Sequence, residues 1–218
     1  MFDRAKIVDE NFLLLIQNGN LPSSQHKLNL SDTSFSPDDL VSVFESQVIS
    51  RHMDLKAREL KNEGKCFYTI GSSGHEGNAV FGKVFQIQDM AFLHYRSAPF
   101  FIERSKKING TTPIYDLALS FMASSDDPIS GGRHKVIGSK KLNIVSQSSP
   151  TGTQYLQAVG AAFACQREKK KSIVYVSSGE RTTSQGDFHE ALNWASREKA
   201  PVIFHIQDNK YAISVPID

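Results

Sequence analysis

The sequence predicts an α/β domain built on a mostly parallel sheet flanked by helices. Two short runs rich in β-branched and aromatic residues carry that expectation, Ile173-Val174-Tyr175-Val176 and Pro201-Val202-Ile203-Phe204-His205-Ile206. Between them lies one amphipathic segment, residues 187–198. Strand, helix, strand is a βαβ unit, and its strands run parallel. Two earlier apolar runs, residues 90–93 and 142–146, add candidate strands to the same sheet.

At 218 residues the chain is long enough to bury a sizeable core. Its 39% hydrophobic and 22% charged content is that of an ordinary globular protein. A formal net charge of +2 is too small to call for nucleic acid or a membrane surface as partner. Cys66 and Cys165 sit in apolar surroundings and read as buried small hydrophobes, with neither a disulfide framework nor a metal site. The apolar run at residues 12–16 is too short to span a membrane. Acidic residues precede it, which argues against a mitochondrial presequence, so the expected location is cytoplasmic.

Taken in order, residues 1–35 read as an arm and linker, with a short helix over residues 5–16 followed by Asn, Ser, Pro and Asp. The main domain is expected over residues 36–218. Ser36-Pro37-Asp38-Asp39 is a helix start, with a Ser cap, Pro at the first helical position and acids in the first turn. That helix runs to about residue 62, with Gly64 as its stop and Val41, Phe44, Val48 and Leu55 on one face. Residues 66–70 form a β-type run opening into Gly71-Ser72-Ser73-Gly74-His75-Glu76-Gly77, after which Ala79, Val80 and Val84 begin a helix. No G-K-[ST] follows, so the turn is not a P-loop. Residues 90–93 end in His94-Tyr95-Arg96. Thr112-Pro113 starts a helix with Ile114, Leu117, Phe121 and Met122 as its buried stripe. The strand at 142–146 leads into Gln147-Ser148-Ser149-Pro150-Thr151-Gly152-Thr153-Gln154. The helix at 157–166 carries small residues, Ala158, Gly160, Ala161 and Ala162, that permit close approach to a sheet. Its closing lysines form a solvated cap.

Function concentrates after the strand at 173. A polar turn, residues 177–186, ends that strand, and Gln207-Asp208-Asn209-Lys210-Tyr211 ends the next. Ligands of such units sit beyond the carboxyl ends of the strands. Glu180 and Asn209 place hard oxygen donors there, a set suited to Mg²⁺ with phosphate oxygens and water. Backbone N–H groups and a helix N-terminus in the turn suit a phosphate.

Gly179-Glu180-Arg181, the run from Ser184 to Asn193, and Asn209 together resemble the thiamine-diphosphate motif of 2-oxo acid dehydrogenases. The likeness is to the α subunit of their decarboxylating first component, of pyruvate or branched-chain type. The turns at 71–77, 95–96 and 148–154 follow in the family's order. The resemblance implies the thiamine-diphosphate-binding fold, with Mg²⁺ held by Glu180, Asn209 and the Tyr211 carbonyl. It implies that Tyr95 and Arg96 reach the diphosphate and that Ser149, Thr151, Gly179 and Arg181 border the cofactor. It also implies that Ser148, the Pro150 carbonyl, Thr153 and Gln154 mark a turn able to hold a monovalent cation such as K⁺ in branched-chain members. The implied partners are a β subunit or β-like domain, within an oligomer such as a heterotetramer, and a lipoyl-bearing acyltransferase. No nucleic acid or membrane partner is implied.

Three of the sequence's departures from the pattern fall at the expected cofactor positions. Arg181 stands where the family has a second Gly, Asp208 where it has the first Asn of a pair, and Thr151 where a bulky apolar residue supports the bent cofactor. No catalytic residue is assigned within the chain; the catalytic groups are expected from a partner subunit and beyond Asp218. By the resemblance, the glutamate that protonates the cofactor's pyrimidine belongs to the β subunit, and an assisting histidine loop follows the region matched here. The expectation is therefore the front part of an α subunit, truncated or heading an α–β fusion, and catalytically incomplete by itself. Two alternatives accompany it: a relative without cofactor that serves assembly, and an acetoin dehydrogenase α-type subunit.

Overall fold

The computed structural model describes residues 4–20, 23, 28–147, 150–212 and 215–216. The chain forms two compact units, residues 1–42 and 43–218. The first holds α1 (Arg4–Gln17) and a 3₁₀ turn (Leu30–Asp32). In it Phe12, Leu13, Leu14, Leu15 and Ile16 are all exposed. The next helix, α2 (Pro37–Asn62), begins in this unit and continues into the second. Ser36 and Asp39 cap its start reciprocally: the Asp39 N–H donates to Ser36 Oγ at 3.2 Å, and the Ser36 N–H donates to Asp39 Oδ2 at 2.9 Å.

The second unit is built on four parallel strands in the order β2-β1-β3-β4, namely β1 (Ala91–Phe92), β2 (Ile144–Val145), β3 (Val174–Gly179) and β4 (Val202–Gln207). Side chains alternate across a strand, and the two cores follow that alternation. Ala91, Leu93 and Tyr175 point into one core with Phe100, Phe101, Ile102, Leu117 and Phe121. Phe92, Val174 and Val176 point into the other, against Tyr155, Ala158, Val159 and Ala162 of α6 (Thr153–Arg167) and Ala191 and Ala195 of α7 (Gly186–Arg197). The sheet is thus the middle layer of three. The small residues Ala158 and Ala162 are fully buried and let α6 lie close to the strands.

The first core is closed by α3 (Asn78–Val84), α4 (Ala98–Ser105) and α5 (Pro113–Phe121). Helix α4 has no counterpart in the sequence reading, yet all eight of its residues are buried. Arg104, fully buried, ties it to the turn before β1 through the carbonyls of Gln86, Ile87 and Asp89. Helix α3 crosses α4 at Gly82, where an added Cβ would stand 2.6 Å from the Phe100 carbonyl oxygen.

Several expectations are corrected. On α2 the buried face is Val43, Ser46, Ser50, Asp54 and Ala57, while Val41 and Phe44 are exposed. Its polar members are satisfied by α4 and by the turn at Ser72: Ser46 donates to the buried Glu103 at 2.6 Å, Ser50 meets Ser72 at 2.5 Å, and Asp54 accepts from Ser72. Residues 66–70 are not a strand; the N–H groups of Phe67 and Tyr68 both donate to the Phe121 carbonyl. Ile114 and Met122 lie outside the core. Ser177 and Ser178 belong to β3 rather than to the turn after it, fully buried with their hydroxyls bonded.

Gly82→Ala is expected to destabilise the chain by about 1–3 kcal/mol in chemical denaturation, because the α3–α4 crossing must open. Gly160→Ala, at a helical position with open space around it, is expected to be neutral or stabilising by up to about 1 kcal/mol. Equal effects at the two sites would contradict the close crossing.

Candidate functional site

The strand ends build a cleft of about 660 Å³. In the β3–β4 register Val174 pairs with Val202 and Gly179 with Gln207. The chain leaves both strands at the same level, which brings Glu180 beside Asn209. Glu180 opens a 3₁₀ turn (Glu180–Ser184), and its Oε2 accepts the Asn209 N–H at 3.3 Å. Its other oxygen, Oε1, is buried without a hydrogen-bond partner. A buried carboxylate oxygen without a donor is costly, and a hard cation or a donor-bearing ligand removes that cost. Glu180, Asn209 and Tyr211 line the cleft together. The Asn209 side-chain oxygen accepts the Tyr211 N–H at 2.9 Å, so it is engaged within its own turn. Asp208 accepts from the Lys210 N–H and lies 2.6 Å from Lys210 Nζ. That contact holds the Asp208 carboxyl below its usual range. Among the described residues no group of three or more His, Cys, Asp or Glu could hold a metal ion.

The opposite wall comes from the end of β1. The His94 N–H donates to Ser177 Oγ at 3.0 Å, which fixes the direction in which Tyr95 and Arg96 leave the sheet. One of the five Arg96 guanidinium donors goes to the Gly71 carbonyl at 2.8 Å. The guanidinium lies 5.2 Å from the centre of the Tyr95 ring. Both residues border the cleft with Arg181, which is exposed on its rim. The cleft wall also includes Ser184 and Gln185, at the N-terminus of α7, where backbone N–H groups and the helix dipole favour an anion. Arg96, Arg181 and that helix end give the cleft positive character, with Glu180 as its acidic member.

Two histidines close the floor. His94 and His75 are buried, their ring centres 5.7 Å apart. Burial, with His75, Arg96 and Lys135 adding repulsion, holds the His94 imidazole down to about 3. Burial also lowers His75, opposed by its contact with Gln207. Both rings are neutral near pH 7, and His94 Nδ1 accepts the Arg96 N–H at 3.4 Å.

The turn before α6 supplies Thr151, exposed and bordering the cleft. Thr153 Oγ1 donates to the Pro150 carbonyl at 3.3 Å, and the Gln154 amide oxygen accepts the Gly152 N–H at 3.0 Å. All three oxygens named for a monovalent cation in this described stretch are therefore engaged within the chain. Ser148, Ser149 and Asp218 lie outside the described residues.

A model of the dehydrogenase E1 component matches residues 44–218. The chain belongs to that family. It is 37% identical over 181 residues to the 2-oxoisovalerate dehydrogenase subunit alpha of Bacillus subtilis, covering 82% of this chain and 53% of that protein. The mitochondrial 2-oxoisovalerate dehydrogenase subunit alpha of Dictyostelium discoideum is 29% identical, over 85% of this chain and 41% of its own length. The pyruvate dehydrogenase E1 component subunit alpha of Staphylococcus aureus is 28% identical, over 99% of this chain and 55% of its own. The E1-family chain thus spans about half the length of the curated relatives it matches. None of its described helices is long and apolar enough to cross a membrane.

The structure brings Tyr95, Arg96, Thr151, Glu180, Arg181, Asn209 and Tyr211 of this E1-family chain to one cleft, with Gly179 at its edge. Sequence reading assigned no site role to His94, to Ser177 or to Lys135, which is buried and bonded to the Tyr95 carbonyl. Nothing local in the sequence signals that role for Lys135, whose carbonyl partner lies 40 residues away along the chain.

Because the folded His94 resists a proton that the unfolded chain accepts near pH 6.5, its contribution is complete above that value and is lost as pH falls toward about 3. His94→Gln should flatten the acid limb of stability by up to about 1.4 kcal/mol per pH unit between about pH 6 and about pH 4. Denaturant titrations of both proteins across that window measure the difference, and parallel curves would place the imidazole in water.

Proposed function

We propose that this E1-family chain provides the diphosphate-binding half of a thiamine-diphosphate site, in an enzyme that decarboxylates a 2-oxo acid of pyruvate or branched-chain type. The observation that carries the reading is the unpartnered buried Oε1 of Glu180, held beside Asn209 at the carboxyl ends of two adjacent parallel strands. A carboxylate, an amide and a backbone carbonyl are oxygen donors of the kind Mg²⁺ takes alongside phosphate oxygens and water. Glu180, Asn209 and the Tyr211 carbonyl would hold that ion, with a turn of the Asn209 amide away from the Tyr211 N–H. Arg96, Tyr95 and the N-terminus of α7 would bind the phosphate oxygens, and Arg181 adds a charge at the rim. Thr151 would sit against the cofactor body, and Ser149, outside the described residues, is proposed to border it as well. No orphaned oxygen of that kind supports a monovalent cation at Pro150, Thr153 and Gln154.

Bound thiamine diphosphate supplies the electron sink that lets a 2-oxo acid lose CO₂. The chain's own part is to neutralise the diphosphate, fix its position and keep water from its inner face. Neutral His75 and His94 beneath the cleft suit that task, since they line the floor without adding charge. A β subunit, with groups that follow Asp218 in a full-length α subunit, would complete the site. A lipoyl-bearing acyltransferase would receive the acyl group. The identity of 37% to a 2-oxoisovalerate relative favours a branched-chain substrate. The second reading, assembly without cofactor, has its support in the inward-turned amide of Asn209.

Calorimetry decides between them. Thiamine diphosphate is expected to bind the chain, alone or with its β partner, in a Mg²⁺-dependent manner, and Glu180→Gln should weaken binding roughly a hundredfold. Arg181→Gly should shift affinity severalfold if the cleft is occupied and leave the titration unaltered under the assembly reading. Absence of binding by the chain joined with its β partner would remove the cofactor from the account.

A further inference from the structure

Lys135 is 1% exposed and belongs to none of the contacts assigned to the diphosphate. Its Nζ donates to the Tyr95 carbonyl at 2.7 Å and lies 5.2 Å from the centre of the Phe121 ring. The Tyr95 carbonyl is part of the peptide that joins Tyr95 to Arg96. Lys135 therefore grips the backbone from which the cleft arginine projects.

A second grip acts on the other end of the arginine. Arg96 Nη1 donates to the Gly71 carbonyl at 2.8 Å. The turn carrying Gly71 is pinned by buried Asp54 of α2, whose Oδ2 accepts the Ser72 N–H at 2.7 Å and the Ser72 hydroxyl at 3.0 Å. A Cβ at Gly71 would stand 2.3 Å from Asp54 Cγ, so the turn lies flush on the carboxyl. The charged and titratable groups facing Lys135 are Asp54 of α2, with Arg51 behind it, and Arg96 and His94 from the end of β1. Helix α5 contributes the Phe121 ring. One anion thus stands among several cations, and the lysine is held there by its bond to Tyr95, the ring and Asp54.

We propose that Lys135 is a positioning residue of the anion site: its ammonium locks the Tyr95–Arg96 peptide and so aims Arg96 into the cleft. The inference rests on the diphosphate reading above and deepens it by adding a residue that touches no ligand. A charge-assisted bond to a carbonyl is stronger than one from a neutral amine. Burial lowers the Lys135 ammonium to about 8, with Arg96 adding to the fall and Asp54 opposing it. The lock consequently loosens as pH rises through that value.

Two measurements test this on the 218-residue chain. The first follows the Arg96 Nε–Hε signal by NMR, assigned with Arg96→Gln, and needs no ligand. In the wild-type chain it should move with a midpoint near about pH 8, and in Lys135→Met that step should vanish. The second is calorimetry with inorganic pyrophosphate and Mg²⁺ between about pH 6.5 and about pH 9.5. Lys135→Met should bind roughly tenfold more weakly at the acid end, and the wild-type advantage should shrink toward unity at the alkaline end. The ratio of the two affinities cancels the ligand's own titration. An Arg96 signal with no step near pH 8 overturns the proposal, as does a ratio that is constant with pH. If Lys135→Met does not fold, the wild-type Arg96 titration alone decides. A clear step without pyrophosphate binding supports the hold of Lys135 on Arg96 and overturns the diphosphate reading instead.

Discussion

The parallel pairing of β3 with β4 is the constraint from which the site follows. Register from Val174↔Val202 to Gly179↔Gln207 decides that Glu180 and Asn209 leave the sheet side by side. It also decides which core each side chain enters. A slip of one residue would send Tyr175 toward α6 and the two valines toward α4, reversing the faces of a strand buried on both sides. Packing and chemistry are thus specified by one alignment. The alternation of Val174, Tyr175 and Val176 between two cores is what holds the carboxylate beside the Asn209 N–H.

Around that alignment the chain manages charge by burying groups whose ordinary ionisation is displaced. His94 is kept from its proton, Lys135 is held near the point of losing its own, and the Asp54 carboxyl is pushed up by burial against the pull of Ser72. These groups form a continuous layer under the cleft, from α2 through the Gly71 turn to the end of β1. The full charges that meet solvent, Arg96 half-buried and Arg181 exposed, stand on the walls. A polarised floor beneath charged walls suits an anion that must be bound firmly on one face and remain open on the other.

What was legible in the sequence follows from which interactions are local. Helix α2 was readable because Ser36, Pro37 and the acids of its first turn are a local signal, and Gly64 ends it at a φ of +74°. The strands at 174 and 202 were readable from their composition. Helix α4 was missed because Glu103, Arg104 and Ser105 are buried like its apolar residues, so nothing in the segment marks a solvent face. The buried face of α2 was misassigned for the opposite reason. Ser46, Ser50 and Asp54 look solvent-facing in sequence, and only Glu103 and Ser72, brought in from distant elements, make their burial affordable. Lys135 escaped for the same cause, since nothing near it in sequence announces the Tyr95 carbonyl. The residues of the cleft itself were legible because they end strands, where fold and chemistry coincide.

Of the departures from the family pattern, Asp208 is the one the structure compensates locally. Asp208 places a carboxylate next to Asn209 of the cleft, which alone would oppose an anion there. Lys210 lies two residues on, with its ammonium 2.6 Å from that carboxylate, and the pair is neutral as a unit. Lys210 adopts a φ of +66°, a left-handed conformation that a Gly would take freely and a side chain accepts at some cost. The strain and the ion pair belong to the same turn, the one that returns the chain into β5 (Tyr211–Ala212) and sets Tyr211 against the cleft. Arg181 has no such partner among the bonds that define its turn, and its charge remains directed to the rim. In formal charge the substitutions offset one another: Arg181 adds a cation at the rim of the cleft, and the added carboxylate of Asp208 is paired with Lys210.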